Sequence, residues 1–148
     1  MGTLLDTTVF VQLERELSGQ AAGGAMAEIS RRLVRELGSE EEVGIATVTA
    51  AELLHGVHRA QAREHRVRRE AFVDAVIEAF PPIPFDLRAA RVLGRLWAEL
   101  AVTGSDIGAH DRIVAATAIA SGWRVATSNL RHFEKVAGLV VFEPALSS

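Results

Sequence analysis

The feature that most constrains this 148-residue chain is its alternation of short apolar runs with longer stretches of helical periodicity. Chains with that rhythm bury a short, mainly parallel sheet between layers of helices. Residues 3–5 read as a very short strand and 7–17 as a helix, and the three glycines within 19–24 read as a loop. Met26, Ile29, Leu33, Val34 and Leu37 recur at helical spacing, so they predict an amphipathic helix stopped by Gly38. "VGIATV" (43–48) then reads as a strand and "TAAELLHGVHRA" (49–60) as a helix. Within 61–80, Phe72, Val73, Val76, Ile77 and Phe80 form an apolar stripe that "PPIP" ends. A minimal strand at 83–85 leads into a helix from Asp86, expected to turn Leu87, Ala90, Leu93, Leu96, Trp97 and Leu100 inward. A helix at 110–121, a strand at 123–127 and a last strand near 139–142 complete the order. The expectation is one three-layer α/β domain spanning 1–148, with no repeat and no linker.

Composition narrows the function classes. With 49% hydrophobic and 24% charged residues, the chain has the balance of an ordinary globular protein. The absence of cysteine removes disulfides, thiolate metal sites and cysteine nucleophiles together. No apolar run approaches the roughly 18 residues of a membrane span, and no signal-peptide pattern opens the chain, so a cytoplasmic location is expected. A net charge of −3 argues against nucleic-acid binding driven by overall charge, so such contact must be local. Phosphate loops of the G-x-x-x-x-G-K type and G-x-S-x-G elbows are absent, and His55, His58 and His65 do not share a helical face as zinc ligands would.

In open α/β sheets, ligands bind beyond the carboxyl ends of the strands. Asp6 follows "TLL", Glu52 lies in the first turn after "GIATV", Asp111 begins a helix, and Asn129 follows "WRVAT". Each has a structural alternative. Asp6 suits an N-cap, Thr49 to Glu52 spell a capping box, Asp111 suits a first-turn dipole partner and Asn129 suits a turn. Magnitudes separate the readings: a cap contributes about 1 kcal/mol, whereas two like charges about 4 Å apart at an effective dielectric of about 20 cost roughly 4 kcal/mol. Converging acids therefore need a counter-ion, and hard oxygen ligands select Mg²⁺ or Mn²⁺.

The segments "LLDTTVFV", "TVTAAELLHGV" and "IGAHDRIVAATAIASGWRVATSNLRHFEKVAGLVV" together resemble a PIN-domain ribonuclease of the VapC toxin type. The resemblance runs from Thr3 to Phe142. It implies a metal-dependent endoribonuclease with a PIN-like fold, usually dimeric, and inhibited by a cognate antitoxin that covers the active-site groove. It matches Asp6, Glu52 and Asp111 to the metal-binding acids, Asn129 to the fourth polar position and Thr127 to the hydroxyl residue before it. Two departures stand out: Thr8 replaces a frequent asparagine, and His132 stands where many relatives have an acid. Asn129, for its part, replaces an aspartate found in other members, which lowers the negative charge of the site.

Hydrolysis of an RNA phosphodiester assigns Asp6 and Asp111 to the metal and Glu52 to a metal water or the attacking water. Thr127 and Asn129 would then hydrogen-bond waters or phosphate. Arg112 and Arg131 are candidates for phosphate or for an antitoxin carboxylate. Arg59, Arg63 and Arg66 recur at i, i+4 and i+7, and so predict a basic stripe that either binds phosphates or is merely a solvated face. The competing class is a binding module with weak or no activity that regulates through its partner complex. Three acids retained together argue for catalysis.

Overall fold

The structure, a computed structural model, describes residues 2–147. Strand β1 (Gly2–Leu5) runs into helix α1 (Thr7–Glu16), followed by α2 (Ala22–Leu37), β2 (Glu42–Ala46), α3 (Thr47–Arg59) and α4 (Arg63–Ala79). The chain continues through β3 (Pro82–Ile83), α5 (Leu87–Thr103), α6 (Ala109–Ser121), β4 (Arg124–Ala126) and, after a 3₁₀ turn at Leu130–His132, β5 (Val141–Phe142). The sheet order is β3-β2-β1-β4-β5, and every pairing is parallel.

Neighbouring residues on each strand point to opposite faces, so the strands feed two cores. Leu5, Ile45 and Ala126 pack with α1 to α4 through Phe10, Ile29, Val73 and Val76. Leu4, Ala46 and Val125 pack with α5 and α6 through Leu96, Leu100 and Val114, together with Phe133. This is the expected three-layer α/β arrangement. Among the described residues, no helix is long and apolar enough to cross a membrane.

The chain winds from β1 to β2 and β3 on one side of the sheet, then crosses to β4 and β5 on the other. The reversal falls between β1 and β4, where Leu5 is in register with Ala126. Such a switch point opens a crevice beyond the strand ends. Asp6 and Thr127 are the first residues past those two ends.

Several local expectations are corrected. Helix α2 begins at Ala22 and includes Gly23 and Gly24, so residues 19–24 are a loop only up to Ala21. Burial of Ala25 and Met26 against the core outweighs a helix penalty of about 1 kcal/mol per glycine. Helix α3 starts at Thr47, with Ala46 as its N-cap residue. Thr49 is therefore inside the helix, fully buried and with its Oγ1 unpartnered, and no capping box holds Glu52.

The arginine stripe does not form either, because Arg59 ends α3 and Arg63 begins α4. Arg66 instead donates twice to the Ala60 carbonyl, at 3.1 and 3.0 Å, and seals the end of α3. Helix α5 buries Leu96 and Leu100 and half-buries Ala90 and Leu93, as expected, but Leu87 and Trp97 are 67% and 57% exposed and Ala89 is buried instead. Asp86 caps the helix by accepting from the Ala89 amide at 2.9 Å.

Candidate active site

Asp6 occupies the N-cap position of α1, yet its carboxylate makes no capping bond. Its Oδ2 accepts hydrogen bonds from Thr127 at 2.9 Å and from Thr8 at 3.0 Å, and the two hydroxyls lie 3.2 Å apart. Thr8 Oγ1 also accepts from the Ser128 amide, and Thr127 Oγ1 from the Asn129 amide, each at 3.0 Å. Only 3% exposed, Asp6 is thus fixed by the segment that leaves β4. Both hydroxyls use the same oxygen, so Oδ1 keeps its lone pairs for another partner.

Glu52 projects from α3 toward the start of α1, where Thr7 Oγ1 donates to its Oε1 at 2.7 Å. His110 Nδ1 lies 3.4 Å from the other oxygen, Oε2. Asp111, in the first turn of α6, benefits from the positive end of that helix. Its Oδ2 lies 2.9 Å from His132 Nδ1, and Asn129 Nδ2 lies 2.9 Å from His132 Nε2.

Asp6, Glu52 and Asp111 line one groove of about 860 Å³, together with Thr7, Thr8 and His132. One wall is the α1 face that carries Val11, Gln12 and Arg15. Burial raises the Asp111 carboxyl above its ordinary value, and the Asp6 charge adds to that rise. His132 pulls the other way, while Glu52 pushes Asp111 up again. The groove therefore holds negative charge that its own residues leave incompletely neutralised.

That excess, carried by hard oxygen donors, is the environment that fits a divalent cation. Among the described residues, no three acid or imidazole side chains stand close enough to form a ready-made cage. Asp111 meets His132, and Glu52 meets Thr7 and His110, so part of the donor set is engaged by neighbouring side chains of the same groove.

The other sequence candidates are distributed differently. Asn129 is not among the groove-lining residues, and its side chain meets His132. Arg112 lies over the Trp97 ring, 4.8 Å from its centre, and Arg131 is exposed on the 3₁₀ turn; neither lines the groove. Sequence reasoning missed Thr7, His110, Gln12 and Arg15. For the α1 residues a signal existed: Thr7, Thr8, Val11, Gln12 and Arg15 follow Asp6 at the spacing of one helical face. The approach of His110 to Glu52 left no such trace.

A parallel sheet with acids gathered at its switch point defines a class, and the comparisons with known proteins agree with it. The PIN domain family model matches residues 3–139, and the chain belongs to that family. Within it, the similarity runs to VapC ribonucleases. Ribonuclease VapC1 of Rickettsia felis is 29% identical over 141 residues, covering 95% of each chain. The tRNA(fMet)-specific endonuclease VapC of Salmonella typhimurium is 35% identical over 95 residues, covering 64% of this chain and 70% of its own. Among solved structures, DNA-bound VapBC from Salmonella typhimurium superposes with a TM-score of 0.75 at 26% identity, covering 97% of this chain and 98% of the other.

Proposed function

We propose that this chain is a divalent-metal-dependent endoribonuclease, the toxin half of a toxin–antitoxin pair, working in the cytoplasm. The observation that carries the reading is the convergence of Asp6, Glu52 and Asp111, from three separate parts of the chain, on one groove at the sheet's switch point. The similarity to VapC ribonucleases supports RNA as the substrate. It also makes transfer RNA the first candidate, since one relative is named for it. A VapB-like antitoxin that covers the groove, and a homodimer of the toxin, complete the proposal.

Asp6, Glu52 and Asp111 would hold Mg²⁺ or Mn²⁺. When bound, such an ion supplies Lewis acidity to the scissile phosphate and makes water a better nucleophile near neutral pH. The chain's own residues do the rest. Thr127 and Thr8 fix Asp6 by Oδ2, so Oδ1 would be the oxygen offered to the ion. Thr7 holds Glu52 by Oε1, and its Oε2, which lies 3.4 Å from His110 Nδ1, would orient the attacking water and accept its proton. Asp111 faces the same space from the head of α6, where the helix dipole steadies its charge.

The deciding experiment is cleavage of a pool of structured RNAs, transfer RNA included, with Mg²⁺ or Mn²⁺ against EDTA. Discrete cuts that need metal and vanish in Asp6→Asn and Asp111→Asn are expected. Cuts that persist in EDTA, or in both variants, would overturn the assignment. A folded chain that cuts nothing yet binds an antitoxin would instead be a binding module.

A further inference from the structure

We propose that His132 is a nitrogen ligand to the divalent ion of this groove, beside Asp111, and that Asn129 is the positioning residue for its ring. The inference rests on the nuclease reading above, and it adds one imidazole to an otherwise all-oxygen set.

His132 lines the same groove as the three acids, and its Nδ1 lies 2.9 Å from Asp111 Oδ2. The two donor atoms would be near enough to serve one ion once the ring proton between them gives way to it. Metal-ligating histidines are held by a hydrogen bond on their other ring nitrogen, and Asn129 Nδ2 meets His132 Nε2 at 2.9 Å. Asn129 is itself tied by its backbone amide to Thr127 Oγ1, and Thr127 binds Asp6. The orientation of the imidazole is therefore linked to that of the first acid.

An amide suits this position for a specific reason. With Nδ1–H donating to Asp111, Nε2 accepts from the Asn129 NH₂ group. Ligation through Nδ1 moves the ring proton to Nε2, and a half-turn of the Asn129 amide presents its oxygen to receive that hydrogen bond. An aspartate accepts only, so it serves one tautomer. Imidazole favours Mn²⁺ over Mg²⁺ more than carboxylate does, so the site is expected to discriminate between the two ions.

The test is Mn²⁺ and Mg²⁺ titration calorimetry on the folded, antitoxin-free protein, with pulsed electron paramagnetic resonance of the Mn²⁺ form to detect ¹⁴N coupling. The unmodified chain is compared with His132→Gln, His110→Gln and Asn129→Ala. Expected are a ¹⁴N modulation lost in His132→Gln and kept in His110→Gln, and Mn²⁺ affinity lowered about tenfold or more in His132→Gln and Asn129→Ala. Mg²⁺ affinity should fall less. Mn²⁺ bound without ¹⁴N coupling, a modulation that survives His132→Gln, or affinity unchanged or raised in that variant would overturn the proposal. In the last case the imidazole merely occupies the ion's place and is displaced by it. Failure of the folded chain to bind either ion would overturn the metal-dependent reading itself, and the proposal with it.

Discussion

Thr127 reaches across 121 positions of sequence to donate its hydroxyl to Asp6 Oδ2 at 2.9 Å, joining the ends of β4 and β1 at the point where the sheet reverses. Thr127 is fully buried, so no water replaces this bond when it is lost. Thr127→Val keeps the shape and removes the donor, which costs about 1.5–3 kcal/mol for a hydrogen bond to a charged group. The stability loss is readable by urea denaturation. Metal affinity is expected to fall about 10- to 100-fold, because outer partners orient the ligands. Unchanged Mn²⁺ affinity in a destabilised Thr127→Val protein would show that the bond serves the fold alone.

The Asp111 carboxylate sits in a groove whose burial and neighbouring acids oppose its charge. Without metal, Asp111→Asn removes that opposition, and the melting temperature is expected to rise by a few degrees. With Mn²⁺ at about 100 times its dissociation constant, the parent chain gains about 2.7 kcal/mol, whereas the variant gains little. The two melting curves should therefore cross in order when metal is added. A variant less stable than its parent without metal would mean that the contact with His132 outweighs the repulsion.

The same physics explains what was legible in the sequence. Apolar periodicity revealed the order of strands and helices, because each element buries one face. The strand-end rule singled out Asp6, Glu52 and Asp111, because a parallel sheet delivers its loops to one edge. The start of α3 was missed by two residues, since Ala46, Thr47, Val48 and Thr49 suit a strand as well as a helix. That shift also created the apparent capping box at Glu52. His132 was noticed only as a departure from a resemblance. It lies on a 3₁₀ turn without periodicity, and its meeting with Asp111 is made by tertiary packing. Adjacency in sequence did not carry Arg112 into the groove with Asp111, because its guanidinium lies over Trp97.

At the opposite, amino-terminal ends of the strands, Glu41, just before β2, is tied to β1 and β4. It accepts from Thr3 at 2.7 Å and from Arg124 Nη2 at 3.0 Å. Burial raises its carboxyl, but the hydrogen bonds from Thr3 and Arg124 and the Arg124 charge lower it more, leaving it below its ordinary 4.5. A depressed carboxyl stabilises the fold above its unfolded value and loses that contribution as pH falls through its folded value. Glu41→Gln is expected to cost about 1.5–3 kcal/mol at pH 7, with the gap to the parent closing below pH 4.5. Urea denaturation at neutral and acid pH checks this. A gap independent of pH would remove the charge from the explanation.

Arg15 lines the groove from α1, and it also lines a second groove of about 880 Å³ that runs between α1, α2 and α4. Among the described residues no carboxylate pairs with it, and it is exposed, so its charge is available to a polyanion. Its place is eight positions beyond Thr7 on the same helical face, away from the three acids but continuous with them along the wall. A phosphate of the bound strand outside the scissile bond is the partner this geometry suits. Arg15→Ala should therefore raise KM for RNA several-fold, leave kcat nearly unchanged and reduce the salt dependence of binding by about one phosphate contact. Cleavage rates at several salt concentrations, under saturating and limiting RNA, separate these effects. A fall in kcat with KM unchanged would move Arg15 from gripping the strand to acting on the reacting phosphate.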